Sequence, residues 1–103
     1  MIVEFLTFDV EADVRAEWME VDARTWTRYL ENRPGFISKQ LWVQRGTPHQ
    51  VHAIIMWSDL DSWHAIPHEE MAALDAEMGA FFRVSTVRAY DVIGGDAAAA
   101  GGS

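Results

Sequence analysis

Asp22 is an acidic residue within the apolar face of a predicted helix. On a helical wheel of about 100° per residue, residues 12–33 place their large apolar side chains on one half and most charged ones on the other. Asp22 falls near the middle of the apolar half, one turn from Trp18 and one turn from Trp26. A carboxylate buried there without a partner would hold on to its proton, which is how a general acid or base is prepared. A hydrogen bond from a strand side chain or a tryptophan N–H would instead give Asp22 a structural role.

His64 and His68 have the i, i+4 spacing that places two imidazoles on one face of a continuous helix, as in many metal sites. Pro67 stands between them, and its ring would clash with the carbonyl of Trp63, so we do not expect a continuous helix there. The spacing therefore does not predict a metal site. The simplest interpretation is that both histidines are solvated surface residues. The alternative is that His64 lines the mouth of a pocket, because the residues before the second helix lie beside the end of the third strand.

Five tryptophans, at positions 18, 26, 42, 57 and 63, are many for a chain of 103 residues. They could form a platform for a flat aromatic ligand or a haem, or they could fill a small core and a dimer interface. Trp26 and Trp57 are the stronger candidates for ligand contact, because the predicted fold directs both toward one cleft.

Two hydrophobic periodicities alternate along the chain. Strand-like runs occupy residues 2–8, 36–44, 50–57 and 84–92, and helical patterns occupy residues 12–33 and 67–82, with a short helical turn at 59–66. Pro34 and Gly35 end the first helix. The order βαββαβ predicts an α+β domain over residues 1–93, a ferredoxin-like plait with two helices on one face of a four-stranded antiparallel sheet. Residues 94–103 are rich in glycine and alanine and are typical of a flexible tail or linker.

The sheet face away from the helices is also expected to be apolar. Residues 2–8 and 50–57 carry hydrophobic side chains on both faces of their strands, whereas the helices cover only one face. A second copy of the chain is the simplest cover for the sheet face that the helices leave open. The sequence therefore predicts a homodimer that associates through the sheet. Glu4 and Arg88, on neighbouring strands, are expected to form a cross-strand ion pair.

Composition and charge exclude several classes of function. Eight basic against sixteen acidic residues give a formal net charge of -8, which disfavours nucleic acids and anionic membranes as partners. No apolar run approaches the roughly 18 residues that span a bilayer. The chain has no cysteine and therefore no disulfide or thiolate chemistry. Its first residues lack the basic segment of a signal peptide, so a cytoplasmic location is expected.

Four strings carry a resemblance to a known superfamily: Ile2 to Phe8, Asp22 to Trp26, Pro34-Gly35-Phe36 and Trp63 to Pro67. With the βαββαβ order, the chain resembles the dimeric α+β barrel superfamily, which includes antibiotic biosynthesis monooxygenases and haem-degrading monooxygenases. Within it, the strings look similar to a family of small bacterial proteins whose activity is unassigned. The resemblance implies a sheet-to-sheet dimer with a pocket between the sheet and the helices of each subunit.

Several monooxygenases of this superfamily use an asparagine on strand one, a tryptophan near the end of strand three and a histidine on helix two. Trp57 matches the tryptophan, His64 and His68 lie in the region of the histidine, and the only asparagine, Asn32, ends the first helix. The candidate catalytic residues are therefore Asp22, His64 and Trp57. The candidate ligand-binding residues are Trp18, Trp26 and His68.

Three classes of function follow from the sequence and the resemblance. The first is a cofactor-independent, monooxygenase-like enzyme that acts on a flat apolar or aromatic small molecule. The second is haem binding or haem degradation through His64 or His68. The third is a non-catalytic dimeric binding or stress module whose cleft is filled by its own side chains.

Overall fold

The computed structural model describes residues 1–95. Its strands are β1 (Ile2–Asp9), β2 (Phe36–Trp42), β3 (Gln50–Trp57) and β4 (Ser85–Asp91). Its helices are α1 (Arg15–Asp22), α2 (Arg28–Leu30), α3 (Leu60–His64) and α4 (His68–Met78), with a π-helical segment at Ala23–Thr27 between α1 and α2 and a 3₁₀ turn at Gly79–Phe81. The predicted tail covers residues 94–103, and all of it beyond residue 95 lies outside the described residues.

The four strands form one sheet in the order β2-β3-β1-β4, and every neighbouring pair is antiparallel. This is the topology of the ferredoxin-like plait, so the predicted α+β fold is confirmed. The first helical region begins at residue 15 rather than 12 and continues through the π segment to residue 30. None of the helices within residues 1–95 is long and apolar enough to cross a membrane.

The second helical region is divided at Pro67, as the sequence predicts. Asp59 caps α3 by accepting a hydrogen bond from the backbone N–H of Ser62 at 2.7 Å. Pro67 has an extended backbone, with ψ at 141°, and α4 begins only at His68. His64 and His68 therefore belong to two different helices and do not share a helix face.

Gly35 connects the end of the first helical region to the end of β3. Its φ of +82° lies in the left-handed region that glycine adopts without strain. Its carbonyl accepts a hydrogen bond from the N–H of Ser58 at 2.8 Å, and a Cβ on Gly35 would collide with the side chain of Ser62. This close approach fixes α2 and α3 relative to the sheet.

The helix-facing side of the sheet forms the core. Antiparallel register places Ile2 beside Trp57 at one end of the β1–β3 pair and Phe8 beside Val51 at the other. One buried cluster forms around Trp57 and Leu30, and a second forms around Trp18 and Val51. Glu4 and Leu6, which lie between Ile2 and Phe8 on this face of β1, line a cavity between the two clusters.

Candidate functional site

A cavity of about 430 Å³ lies between the sheet and the helices. Its walls are mainly apolar and include Leu6, Leu30, Ala53 and Ile55. Its charged or acidic lining residues are Glu4, Lys39, Arg83, Asp22 and Asp75. The size matches the roughly 300–1,000 Å³ of small-molecule sites, in which apolar walls surround a few polar groups.

Asp22 and Lys39 form a buried ion pair at this cavity. The Lys39 Nζ donates to Asp22 Oδ2 at 2.7 Å, and the side chains of Lys39 and Asp22 are only 5% and 6% exposed, respectively. Lys39 Nζ also donates to the Thr27 hydroxyl at 2.8 Å, and that hydroxyl lies 3.4 Å from Asp22 Oδ2. Asp22 is thus bound to a strand side chain, as a structural role requires, and also lines the cavity, as a role in acid–base chemistry requires.

The π-helical segment brings Thr27 to the side of Asp22. Residues five positions apart in an α-helix differ by about 140° around the axis, at about 100° per residue. The wider turn at Ala23–Thr27 reduces this difference, so that Thr27 and Asp22 approach each other. A single π segment of this kind is frequent at functional sites.

A β-bulge turns Lys39 toward the helices. Phe36 pairs with Trp57, but Ser38 pairs with Met56, so Ile37 is the extra residue in β2. Beyond the bulge the alternation of sides is reversed, and Lys39 lies beside Ile55 on the helix-facing side. Without the bulge the alternation would place Lys39 on the open face, away from Asp22.

Glu4 is a second acid at the cavity, and its side chain is half-buried. Its Oε1 accepts a hydrogen bond from Trp57 Nε1 at 3.1 Å. Burial raises the pKa of Glu4 above its ordinary value of 4.5, and this effect exceeds the opposing effects of the Trp57 hydrogen bond and the Lys39 charge. The predicted ion pair with Arg88 is wrong, because Glu4 pairs with Ala89 while Arg88 pairs with Phe5 on the opposite face.

The raised pKa of Glu4 predicts a pH dependence of stability. Because the folded protein holds this proton more tightly than the unfolded chain does, the contribution of Glu4 is fully present below its ordinary pKa of 4.5. That contribution is lost as the pH rises through the raised pKa. Thermal unfolding between about pH 4 and pH 8 should show that wild type loses stability relative to Glu4→Gln as the pH rises.

Glu11→Gln is the matched control for this measurement. A hydrogen bond from its own backbone and one from Arg83 lower the pKa of Glu11 below its ordinary value of 4.5. The contribution of Glu11 to the stability of the fold is therefore present above pH 4.5 and is lost as the pH falls through the lowered pKa. The two glutamine variants should therefore deviate from wild type in opposite directions. Parallel stability curves for wild type and Glu4→Gln would contradict the assignment of Glu4.

The five tryptophans differ in their relation to the cavity. Trp18, Trp26 and Trp63 line it, whereas Trp42 is 50% exposed and lies outside it. Trp26 Nε1 donates to Asp75 Oδ1 at 3.2 Å, whereas Trp18 Nε1 is buried and has no hydrogen-bond partner among residues 1–95. Trp57 is fully buried and does not line the cavity, so its link to the site is its hydrogen bond to Glu4.

The histidines lie outside the cavity. His64 and His68 are exposed, and neither is among the cavity-lining residues. His52 bonds Thr7 at 2.9 Å and packs against Phe5 on the open face of the sheet. Within residues 1–95, no group of three or more histidine, aspartate or glutamate residues is arranged to hold a metal ion. The structure thus brings Asp22, Trp18 and Trp26 together at the cavity and leaves both candidate histidines outside it.

Four residues of the site are absent from the sequence-based candidates: Glu4, Thr27, Lys39 and Asp75. Glu4 could have been recognised from alternation, since it shares its side of β1 with Ile2 and Leu6. Lys39 carried no such signal, because the bulge reverses the alternation in β2. Thr27 depends in the same way on the π segment, which the helical wheel does not include.

The chain is similar to known proteins in its structure. No protein-family model matches it, and no curated protein matches it with significance. Solved structures do match. SnoaB, a cofactor-independent oxygenase from Streptomyces nogalater, has 22% identity over 91% of this chain and 92% of its own, with a TM-score of 0.66. The ActVA-Orf6 monooxygenase of Streptomyces coelicolor, in complex with nanaomycin D, has 14% identity over 92% and 89%, with a TM-score of 0.76.

A third similar structure is MhuD, a haem degrader from Mycobacterium tuberculosis with two haems bound in its active site. It has 18% identity over 93% of this chain and 99% of its own, with a TM-score of 0.70. The chain has the antibiotic biosynthesis monooxygenase-like fold. The superfamily resemblance drawn from the sequence is therefore confirmed at the level of the fold. Since one fold hosts many chemistries, the activity has to be argued from the cavity.

Proposed function

We propose that the chain is a cofactor-independent, monooxygenase-like enzyme that oxidises a flat apolar or aromatic molecule in the cavity. The observation that carries the proposal is an apolar cavity of about 430 Å³ with a buried carboxylate on its wall. Trp26 and Trp63, both partly exposed, supply aromatic surface for a planar ring, with the buried Trp18 behind them in the wall, and Asp22 supplies the proton acceptor. The fold shared with two monooxygenases supports the same class of reaction.

The cluster around Asp22 is suited to accept a proton from a bound ring. Lys39 balances the charge of the Asp22 carboxylate, and Thr27 holds the Lys39 ammonium from a second side. Lys39 and Thr27 both donate to Oδ2 of Asp22, while Asp22 Oδ1 has no hydrogen-bond partner among residues 1–95. Oδ1 is the atom to which we assign the proton transfer.

In the proposed reaction the substrate itself supplies all the electrons that O₂ accepts, so no further reductant is needed. A ring CH₂ next to a phenol or carbonyl loses a proton to Asp22, and the electron pair left on the ring is what O₂ accepts. One O₂ then converts the CH₂ group into C=O, and the second oxygen atom leaves as water with the two hydrogens. The chain's residues bind the ring, exclude water from it and hold the transferred proton.

Haem is the cofactor that the resemblance makes possible, and the cavity does not fit haem held by a histidine. None of the four histidines of the chain lines the cavity, and both candidates, His64 and His68, are exposed. We therefore derive no step through haem. The third class, a module whose cleft is filled by its own side chains, is disfavoured by the cavity volume.

Filling the cavity should abolish the activity. Ala53 is 2% exposed and lines the cavity from the centre of β3. We expect wild type to consume O₂ in an oxygen electrode with some member of a panel of polycyclic phenols and ketones that carry a ring CH₂ group. Ala53→Leu should lower kcat/KM for that compound at least about tenfold, because the added side chain occupies space that the ring needs.

Val51→Leu is the matched control for this experiment. Val51 is 1% exposed and on the same side of β3, but it does not line the cavity. The larger side chain there should cost stability through overpacking, about 1–3 kcal/mol, and leave the O₂ uptake per folded protein unchanged. Equal activity of Ala53→Leu and wild type, or no uptake by wild type with any compound, would contradict the proposal.

We also propose that the chain forms a homodimer through the open face of the sheet. Phe5 packs there against His52 and Tyr90, with ring centroids 5.1 and 6.1 Å apart, and Tyr90 remains 48% exposed. Met56 and Val3 extend the same apolar face. No element within residues 1–95 covers it, so a second copy would remove this apolar surface from water.

Sedimentation at micromolar concentration tests the dimer. Wild type should sediment with twice the chain mass of 11.7 kDa. Tyr90→Glu should give monomers, since a symmetric interface would bring two buried carboxylates together. Ala72→Glu, which adds the same charge to an exposed position on α4, should remain dimeric. A monomeric wild type, or a dimer that Tyr90→Glu leaves intact, would contradict the sheet-face interface.

A further inference from the structure

The acidic groups of the cavity each keep one oxygen atom without a protein partner. Asp22 is bound through Oδ2, Glu4 through Oε1 to Trp57, and Asp75 through Oδ1 to Trp26. Within residues 1–95, Asp22 Oδ1, Glu4 Oε2 and Asp75 Oδ2 accept no hydrogen bond from the chain. The Asp22 side chain is only 6% exposed, so a partner for Oδ1 has to come from whatever occupies the cavity.

The cationic groups of the cavity are already engaged. Lys39 Nζ donates to Asp22 and to Thr27. Both terminal nitrogens of Arg83 are bonded as well, NH1 to the carbonyls of Ala80 and Phe82 and NH2 to Glu11. Each cation is thus paired with a carboxylate of the chain, Lys39 with Asp22 and Arg83 with Glu11, so an anionic ligand would have to compete with these carboxylates for it.

We propose that this cavity selects uncharged aromatic molecules that donate a hydrogen bond, such as phenols, and rejects aromatic carboxylates of the same shape. The inference rests on the proposed function and adds the substrate class to it. Asp22 Oδ1 and Asp75 Oδ2 accept from a ring hydroxyl, which gives a partner to acceptors that a bound ring would otherwise only separate from water. A ligand carboxylate offers no hydrogen to them, loses its hydration and faces like charge. The net charge of -8 acts in the same direction at longer range.

Three probes with one ring skeleton separate these effects. 2-Naphthol donates a hydrogen bond and is neutral, 2-methoxynaphthalene is neutral and donates none, and 2-naphthoate is an anion at neutral pH. Isothermal titration calorimetry on the full chain should give 2-naphthol a Kd at least about tenfold lower than that of 2-naphthoate. 2-Methoxynaphthalene should bind between the two, because it keeps the apolar contact but leaves the acceptors unpaired.

Asp75→Asn tests whether a cavity carboxylate causes the discrimination. The amide keeps the size of the side chain and an oxygen for the Trp26 bond while it removes the negative charge. The ratio of the Kd of 2-naphthoate to that of 2-naphthol should fall at least about threefold. Glu77→Gln makes the same change of charge at an exposed position of α4 that does not line the cavity, and it should leave the ratio unchanged.

The outcomes distinguish this inference from the proposed function. Equal Kd values for 2-naphthol and 2-naphthoate in wild type, or equal changes in the ratio for Asp75→Asn and Glu77→Gln, would overturn the selectivity and leave a cavity that binds flat rings. No heat of binding with any of the three probes would overturn the selectivity and the proposed function together.

Discussion

Replacing Lys39 with methionine is expected to lower the free energy of unfolding by about 3–5 kcal/mol. The Asp22 and Lys39 side chains are 6% and 5% exposed, so the substitution leaves a buried carboxylate without its cation. The Thr27 hydroxyl, 3.4 Å from Asp22 Oδ2, is too weak a donor to replace an ammonium at 2.7 Å. Urea unfolding followed by tryptophan fluorescence measures the loss.

The double variant Asp22→Asn with Lys39→Met is the informative companion. It removes both charges, so it should recover much of the stability that Lys39→Met loses, since a buried pair is costly mainly when it is broken. Arg83→Met removes the exposed ion pair with Glu11 and should cost far less than Lys39→Met. A Lys39→Met variant no less stable than Arg83→Met, or a double variant as unstable as Lys39→Met, would contradict a buried ion pair.

Asp22→Asn is expected to lower kcat by about 10²–10⁴ on any substrate that the oxygen electrode identifies, the usual contribution of a positioned general base. Asparagine keeps the shape and an oxygen that can accept from Lys39, but it cannot take up the substrate's proton. Asp22→Asn should also lower the free energy of unfolding, because it leaves the buried Lys39 ammonium without its carboxylate. The structural role left open by the sequence predicts the same loss of stability but an unchanged kcat per folded protein, so kcat is the measurement that separates the two roles.

Asp61→Asn is the control for Asp22→Asn. Asp61 is exposed on α3 and does not line the cavity, so its substitution should leave kcat and stability close to wild type. The Kd of 2-naphthol for Asp22→Asn should be measured in parallel, because retained binding with lost turnover separates proton transfer from binding. Full turnover by a folded Asp22→Asn protein would remove Asp22 from the mechanism.

The predictable part of this fold depends on local periodicity. The pattern of residues 12–33 repeats at the helical period and predicts the burial of Asp22, and the structure finds that residue 4% exposed. Pro67 predicts the break between α3 and α4 because a proline ring excludes the preceding helical backbone. Both signals act within a few residues, so no long-range information is needed to recognise them.

The partners of Asp22 could not be predicted in this way. Lys39 reaches the cavity only because one extra residue at the β2 bulge reverses the alternation, and Thr27 reaches it only through a π-helical turn. Neither irregularity has a clear sequence signature here. The sequence predicts an ion pair between Glu4 and Arg88 because it shows that their strands are neighbours but not the register between them. A shift of one residue in register moves a side chain to the other face of the sheet.

The sequence also does not predict the direction in which a side chain points, and His64 is an example. The order of elements places this residue near the end of β3, but the five-residue helix α3 presents its imidazole to solvent. Trp57 shows the opposite case. The resemblance makes it a candidate catalytic residue, but it is fully buried, and its contact with the site is the hydrogen bond that its N–H donates to Glu4.

A crystal structure with 2-naphthol bound would show whether the cavity beside Asp22 is the ligand site. We expect the ring inside the cavity, in contact with Trp26 and Leu6, with its hydroxyl at hydrogen-bond distance, about 2.7 Å, from Asp22 Oδ1 or Asp75 Oδ2. A ring bound on the open face of the sheet, or a cavity occupied by the chain's own side chains with no ring inside, would contradict this expectation.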